Sequence, residues 1–451
     1  MDTSRSPGWR SHYSLLLLLF VYTMSFIDRQ IMSILIQPIK TEFNVSDSAM
    51  GLLTGLAFAL FYSGLAVPFG RYADRANRRN FIAYCCAVWS VMTALCGMAS
   101  GYWMLALARA GVAVGEAGGQ SPSISVIADH YPPDKRARAM SVYMLGPQLG
   151  IVFGLGLGGW IAQHYGWRSA FAWMSVPGVA AALLLRVSAV EPQRGRWDDL
   201  VGQPAGQPAG QPSPGAQAEP LRGILRDLWA SDAFTRIACA GLLLGFVGYG
   251  IGIWTPAFLV RSYGVTLQSA GAMIGILGGF AAITGALTGG WLCDLMAKRD
   301  PRWRMGVPIV GCLIAFFAGS AFYILPVGES WHIAGLAVPG VMGFYMLFAF
   351  SSVWWTAPLY ATLASLVSAH RRSTALAIFN LFFTLIGSGL GPLAVGVLSD
   401  LLTPRFGNEA LRWALAASMT VFLLAIMAFM TAMKPYLKTQ QCPERGTFVT
   451  A

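Results

Sequence analysis

Gly70 to Arg79 reads G-R-Y-A-D-R-A-N-R-R, a basic stretch between two long apolar segments. A second stretch, G-W-L-C-D-L-M-A-K-R from Gly290 to Arg299, repeats its outline 220 residues later. Each begins with glycine, has an acid four residues on, and ends with bases eight and nine residues on. The match indicates that the chain is built from two related halves.

The composition is that of a membrane protein. Of the 451 residues, 55% are hydrophobic and 11% are charged, and the mean hydropathy is +0.56. A soluble protein carries about 25% charged residues. The net charge of +11 does not indicate nucleic-acid binding, because the bases follow a membrane topology. We therefore expect a polytopic membrane protein with no nucleic-acid partner.

Apolar segments long enough to span a bilayer occur in two groups of six. They lie at roughly 13–38, 48–71, 81–100, 102–128, 137–164, 168–188, 234–262, 268–293, 306–326, 332–366, 373–401 and 411–433. The prediction is an all-α membrane protein with twelve transmembrane helices in two pseudo-symmetric six-helix halves. The segment at 332–366 is long enough to require a tilt, a kink or a re-entrant loop.

A polar gap separates the two groups. Within it, Gly202 to Pro212 reads G-Q-P-A-G-Q-P-A-G-Q-P, a composition that predicts a flexible linker. The predicted domains are an N-terminal half at 1–189, a cytoplasmic linker at 190–232, a C-terminal half at 233–436 and a cytoplasmic tail at 437–451.

The bases are unevenly distributed between the two sides of the membrane. Of the 31 Lys and Arg residues, five fall on one side and two within spans, which leaves 24 on the other side. The positive-inside rule places those 24 in the cytoplasm together with both termini, and predicts a multi-pass protein of the inner or plasma membrane.

Metal, redox and enzyme chemistry are not indicated. The seven cysteines lack C-x-x-C spacing, and the five histidines lack metal-ligand spacing. There is no H-E-x-x-H, G-x-S-x-G or P-loop motif. We expect no cofactor, no metal and no enzymatic activity.

The fourth span carries a polar face. Arg109, Glu116, Gln120 and Ser123 follow one another at intervals of seven, four and three residues, so they share one side of a helix. This face predicts that the fourth span lines a cavity. The alternative is a structural salt bridge only.

The first span contains an acid and a base side by side. Asp28 and Arg29 point about 100° apart on a helix, so each needs a different partner. At 1.5 Å per residue, Asp28 and Arg109 lie at about the same depth. We predict that Arg109 is shared between Asp28 and Glu116 as a proton switch, in which the acid without the arginine binds a proton more readily. A static network that only stabilises the fold is the alternative.

The second half has no ionisable residue in mid-span. Its predicted cavity residues are Tyr249, Trp254, Trp354, Tyr360 and Asn380. An aromatic surface opposite a charged one suits an amphiphilic substrate, with Arg29 or Arg109 meeting an anionic head group. Packing of these aromatic residues is the alternative.

The repeated basic stretch predicts a conformational latch. Asp74 is expected to cap a neighbouring helix, and Arg75, Arg78 and Arg79 to pair with carboxylates such as Asp129. Gly70 and Asp294 complete the predicted latch. The alternative is that these bases serve only as orientation signals.

Glycine spacing in the fifth span predicts close helix packing. Gly150, Gly154 and Gly158 follow the small-x-x-x-small pattern, and we expect this face at the interface between the halves.

The Gly70 to Arg79 motif resembles the signature loop of the major facilitator superfamily. The D-R pair of the first span, R-A-G-V-A-V-G-E-A from Arg109 to Ala117, and I-A-D-H-Y from Ile127 to Tyr131 resemble the spinster-like branch. The resemblance implies a monomeric, proton-coupled transporter of lysophospholipids or sphingoid phosphates that works by alternating access. A proton symporter for organic anions and a multidrug exporter are the alternatives within transport. A channel or a substrate-sensing receptor is the alternative outside it.

Overall fold

The computed structural model describes residues 8–197, 221–326, 328–333, 336–368 and 371–441. In the first of these ranges the helices are α1 Trp9–Phe43, α2 Asp47–Gly51, α3 Ala57–Ala73, α4 Arg78–Gly97, α5 Tyr102–Ala117, α6 Gln120–His130, α7 Pro133–Tyr143, α8 Gly146–Tyr165 and α9 Trp167–Ser188. The later helices are α10 Leu221–Ala230, α11 Asp232–Tyr263, α12 Leu267–Ala272, α13 Gly279–Ala297, α14 Trp303–Ile324, α15 Met342–Ser351, α16 Thr356–Ser365, α17 Arg372–Phe382, α18 Gly391–Phe406, α19 Ala410–Ser418 and α20 Thr420–Gln441. The linker repeat from Gly202 to Pro212 lies outside the described residues.

The helices form two compact units. The first contains α1 and α3–α9, and the second contains α2 and α10–α20. The short segment Val45–Leu56, which the sequence places in the first half, therefore packs within the second unit. The predicted domain limits stay a prediction.

The span count differs from the predicted twelve. Within the described part of the chain, nine helical segments are long and apolar enough to cross a membrane. The fourth predicted span is divided at Gly118 and Gly119 into α5 and α6, each shorter than a full span. The number of twelve stays a prediction, whereas the helical architecture is confirmed.

The predicted span at 332–366 is wrong in its first part. Two antiparallel strands, β1 Ser330–Ile333 and β2 Leu336–Pro339, precede α15. A short apolar run does not distinguish strand from helix, and the proline and glycine at 339 and 340 end the second strand. The remainder is divided between the ten-residue helices α15 and α16.

The internal repeat is visible in local backbone geometry. Ser46 caps α2 by accepting a hydrogen bond from the Ala49 amide, and Thr266 caps α12 in the same way from the Ser269 amide. Each short helix continues into a π-helical turn, Leu52–Leu56 in one case and Met273–Gly278 in the other. The two caps lie 220 residues apart, which is the offset of the repeated basic motif.

Glycines of α8 bring this helix close to α1 within the first unit. A Cβ on Gly150 would collide with Phe26 and lie 3.0 Å from the Thr23 carbonyl oxygen, and one on Gly154 would lie 2.9 Å from the Gln30 Cβ. This glycine face therefore packs against a helix of its own unit rather than at the predicted interface between halves.

Replacing Gly150 by alanine is expected to destabilise the protein by about 1–3 kcal/mol, because the added methyl group forces α8 away from α1. Gly156→Ala on the same helix is the matched control, since its Cβ would meet nothing within 4 Å. Thermal unfolding in detergent measures the difference. Equal melting temperatures for the two variants would contradict the close approach at Gly150.

Candidate substrate and proton-coupling site

A buried ion pair joins α1 to α5 in the first unit. Arg29 Nε lies 2.5 Å from Glu116 Oε2, which also accepts a 3.3 Å hydrogen bond from the Ser25 hydroxyl. The Glu116 side chain is fully buried, whereas that of Arg29 is 25% exposed. An isolated charge at such a position would be strongly unfavourable, so the two residues depend on each other.

Asp28 and Arg109 do not form the predicted carboxylate–guanidinium pair. The Asp28 carboxylate accepts a hydrogen bond of 3.1 Å from the Thr93 hydroxyl on α4. Arg109 Nη1 instead donates to the Asp28 backbone carbonyl at 3.1 Å. The prediction that Arg109 is shared by the two acids is therefore wrong in this arrangement. The reason is geometric: the Asp28 carboxylate is directed toward α4, and Glu116 forms its ion pair with Arg29 instead.

Aromatic rings surround the two guanidinium groups. Arg29 lies over Phe26, Phe58 and Tyr62, with its guanidinium carbon 4.6–5.1 Å from the ring centroids. Arg109 lies 5.2 Å from the centroid of Phe58 as well. Cation–π contacts of this kind stabilise a cation away from water. These rings were not predicted as part of the site from the sequence, although Phe58 and Tyr62 lie one helical turn apart.

A small cavity adjoins the ion pair. Its lining includes Arg29, Glu116, Gln120 and Ser123, and its volume of about 10 Å³ holds roughly one water molecule. The cavity thus brings together Glu116 and three of the predicted substrate-binding residues.

Polar groups around this cavity differ in their hydrogen bonding. Gln120 donates to the Tyr22 hydroxyl and accepts from the Tyr62 hydroxyl, while Ser123 donates to the Gly119 carbonyl. Glu116 Oε1 and Arg109 Nε are buried without a hydrogen-bond partner among the described residues. Glu116 Oε1 is therefore available to accept a proton or a hydrogen bond from water, and the Arg109 Nε–H is available to donate to a water molecule or a ligand.

The predicted residues of the second unit separate into two groups. The Tyr360 hydroxyl donates to Asn380 Oδ1 at 2.7 Å, and Tyr249 is 41% exposed beside Phe383. Trp254 is fully buried, with its indole N–H bonded to the Pro392 carbonyl at 2.8 Å.

The prediction that Trp254 and Trp354 line a cavity is wrong. Trp354 is 8% exposed and belongs to a core cluster with Cys293 and Val307. Both indoles are enclosed by neighbouring helices, so they act in packing.

The predicted latch motif forms an ion-pair cluster around Arg78. Its guanidinium contacts Asp129 at 2.5 Å, Glu191 at 2.8 Å and the Ser125 hydroxyl at 2.8 Å, all within the first unit. The predicted partnership of Arg78 with Asp129 is therefore present. Glu191 lies just after α9 and was not predicted.

The other residues of the latch motif have different contacts. Arg79 donates to the Ala189 carbonyl, and Gly70 faces Ser121. Arg194 donates to the carbonyls of Ala73, Asp74 and Ala76, and so closes the end of α3.

Asp74, Arg75 and Asp294 are exposed, and their side chains form no hydrogen bond or ion pair within the described ranges. The predicted capping role of Asp74 is not seen among the described contacts, since its side chain is exposed and accepts no hydrogen bond from a helix amide there.

A second buried cluster lies in the second unit and was not predicted. Arg261 makes two hydrogen bonds of 2.7 Å to the Asp47 carboxylate, which also accepts one from the Ser399 hydroxyl. The Asp400 carboxylate accepts hydrogen bonds from the amides of Asp47 and Ser48. The sequence signal was weak: an acid in the first turn of a span, with a base at the end of another.

Long apolar helices that enclose paired charges are typical of polytopic membrane proteins that move ions or substrates. The chain belongs to the Major Facilitator Superfamily, whose family profile matches residues 18–392. It is therefore a transporter and not an enzyme.

Characterised relatives of the chain include efflux and lipid-transport proteins. An MFS-type efflux pump of Mycolicibacterium smegmatis is 31% identical, covering 88% of this chain and 86% of the relative. The sphingosine-1-phosphate transporter SPNS2 of Danio rerio is 27% identical, covering 89% and 81%. These similarities confirm the spinster-like character of the sequence.

A solved structure agrees with the fold. The crystal structure of a bacterial homologue of the human lysosomal transporter Spinster, in an inward-facing and unoccupied conformation, superposes with a TM-score of 0.82. The two sequences are 28% identical, and the alignment covers 98% of this chain and 99% of that one.

Proposed function

We propose that the protein is a proton-coupled secondary active transporter of an anionic amphiphile, such as a lysophospholipid or a sphingoid phosphate. The observation that carries the proposal is the buried Arg29–Glu116 ion pair, with Asp28 directly before Arg29 in α1 and a cavity beside the pair. Buried ionisable groups in membrane helices mark ion and substrate pathways.

The pairing suggests an order of events. While Glu116 is charged, it holds Arg29 and keeps that guanidinium from an external anion. A proton on Glu116 removes the negative charge, and Arg29 then binds the head group of the substrate. Asp28 receives only a hydroxyl hydrogen bond on its carboxylate, so it is the second proton-binding candidate. Arg109 holds the Asp28 backbone and orients the acid.

The second unit supplies the surface for the apolar part of the substrate. Tyr249, Tyr360 and Asn380 remain candidates there, since Tyr249 and Asn380 are exposed and Tyr360 contacts Asn380. The cationic site of the first unit suits a charged head group, and the aromatic surface of the second unit suits an apolar chain. The relative that transports sphingosine-1-phosphate supports this substrate class.

The topology and the latch are part of the same proposal. The excess of bases on one side supports cytoplasmic termini in the cell membrane. Gly70, Asp74, Arg75, Arg78, Arg79, Asp129 and Asp294 remain the latch candidates, with the Arg78 cluster at their centre. We expect the monomer to be the functional unit.

Uptake of a lysolipid panel by proteoliposomes tests the function. We expect a proton gradient to drive accumulation of anionic lysolipids, with little uptake of neutral sugars. Gradient-driven uptake of small organic anions, or of drugs in preference to lysolipids, would favour the symporter or exporter alternative, which the efflux-pump relative supports. Binding without flux would indicate a receptor, and ungated ion flux would indicate a channel.

A further inference from the structure

An apolar groove lies in the second unit, and its lining shares no residue with the ion-pair site. It runs between α10, the beginning of α11 and α17 with the turn that follows it, and its volume is about 310 Å³. Its lining includes Leu225, Trp229, Ala238, Cys239, Phe382 and Ile386. Nearly the whole lining is aliphatic or aromatic, so the groove suits a hydrocarbon chain.

Few polar groups line the described part of the groove. Thr235 is the one hydroxyl-bearing residue of the lining, and its hydroxyl donates to the carbonyls of Leu228 and Trp229. The other side-chain donors of the lining are the indole N–H of Trp229, a residue that is 66% exposed, and the weakly donating thiol of Cys239. An occupant with a polar end has to place that end at the mouth.

The groove lies near the beginning of α11, a helix long and apolar enough to span a membrane. The α11 residues that line it fall within about 16 Å of the beginning of that helix, at 1.5 Å per residue. Helix α10 packs Ile224 and Leu228 inward and leaves Trp229 66% exposed. This arrangement is typical of an amphipathic helix in the membrane interface.

Basic residues lie close in sequence to the groove lining on α10 and α17. Asp227 pairs with Arg371 at 2.9 Å and ties α10 to the beginning of α17. The neighbouring residues Arg226 and Arg372 are exposed, and Arg372 Nε donates to the Ala364 carbonyl at 2.8 Å. Arg226 lies one turn from Trp229, and Arg372 lies two turns before Phe379 on the same face of α17. The local excess of cations complements a phosphate.

We propose that the groove binds one acyl chain of an anionic phospholipid from the surrounding leaflet, with the lipid phosphate held by Arg226 and Arg372. The lipid stabilises the packing of α10 on α11 and α17. The groove shares no residue with the ion-pair site, whereas its Phe379 contacts Tyr360, a substrate candidate of the second unit.

Cys239 provides a reporter inside the groove. It is exposed, whereas the other described cysteines, at positions 85, 86, 96, 293 and 312, are buried. In a Cys442→Ser background, N-ethylmaleimide should label Cys239 at least about fivefold more slowly in nanodiscs containing phosphatidylglycerol than in phosphatidylcholine alone, as occupancy excludes the reagent. Equal rates in the two membranes would overturn the proposal.

Two sets of variants identify the head-group and chain contacts. Arg226→Gln with Arg372→Gln should abolish the protection, whereas Arg236→Gln should retain it, because Arg236 faces Asp232 and the Thr431 carbonyl.

Native mass spectrometry tests the contacts of the acyl chain. It should show bound phosphatidylglycerol in the parent and in Ala377→Trp, an exposed position outside the lining, but not in Ala238→Trp, which fills the groove. Protection that survives in the double arginine variant, or lipid retained by Ala238→Trp, would overturn the proposal. If a lysolipid protected Cys239 and phosphatidylglycerol did not, the groove would belong to the transport pathway, and this result would also overturn the proposal.

Discussion

Glu116→Gln is expected to abolish the gradient-dependent part of transport, so that uptake is the same with and without a proton gradient. Glutamine has nearly the shape of glutamate and its amide oxygen still accepts a hydrogen bond from Arg29, so the fold is retained. It cannot be protonated in the physiological range, and it leaves Arg29 without a counter-charge in both states. Substrate uptake by proteoliposomes measures the effect.

Asp28→Asn tests the second acid in the same assay and should also remove the gradient dependence. Asp134→Asn is the matched control, because this acid is exposed in the first turn of α7 and is not one of the residues of the ion-pair site. The control should transport like the parent. If both site variants retained full gradient-dependent uptake, the coupling role of this cluster would be refuted, whereas the lipid groove would be unaffected.

Arg261→Gln is expected to lower the free energy of unfolding by about 3–5 kcal/mol, because it leaves the buried Asp47 carboxylate without its counter-charge. The Asp47 and Arg261 side chains are only 2% and 10% exposed, so water does not compensate for the loss. Thermal unfolding in detergent, followed by tryptophan fluorescence, measures this change as a fall in melting temperature.

An exposed ion pair provides the control for Arg261. Arg168 Nη1 lies 2.6 Å from Glu42 Oε1, and the two side chains are 41% and 43% exposed. Arg168→Gln should therefore lower the free energy of unfolding by no more than about 1 kcal/mol. The double variant Asp47→Asn with Arg261→Gln should recover part of the stability, since it removes both charges. Equal effects of Arg261→Gln and Arg168→Gln would show that the Asp47 cluster adds nothing specific to stability.

Much of the architecture could be predicted from local sequence. Apolar runs predict helices because lipid offers no hydrogen bonds to an open backbone, and the repeated basic motif predicted two related halves. The segment at 332–366 was misassigned because a short apolar run fits a strand as well as a helix. The division of the fourth span at Gly118 and Gly119 was not predicted because glycine is frequent in membrane helices, although a Gly-Gly pair is also a turn signal.

The residues of the candidate site could be predicted from the sequence, whereas most of the contacts between them could not. The sequence predicts all four charged residues of the site, because charged residues within apolar spans are conspicuous. These residues are Asp28, Arg29, Arg109 and Glu116. Their pairing was predicted from depth alone, and depth does not specify the direction of a side chain. Phe58, Tyr62 and Thr93 were missed because aromatic and hydroxyl residues are common in membrane helices and carry no special signal.

The sequence by itself determined the membrane class, the internal repeat and the four buried charged residues, because hydrophobicity, spacing and the energetic penalty for intramembrane charge are properties of the chain. Only the tertiary structure decided that Glu116 pairs with Arg29 rather than Arg109, that Arg78 joins Asp129 to Glu191, and that Asp47 meets Arg261. The reason is that an ion pair depends on the rotation and separation of two helices. Those quantities follow from packing between residues that are far apart in sequence.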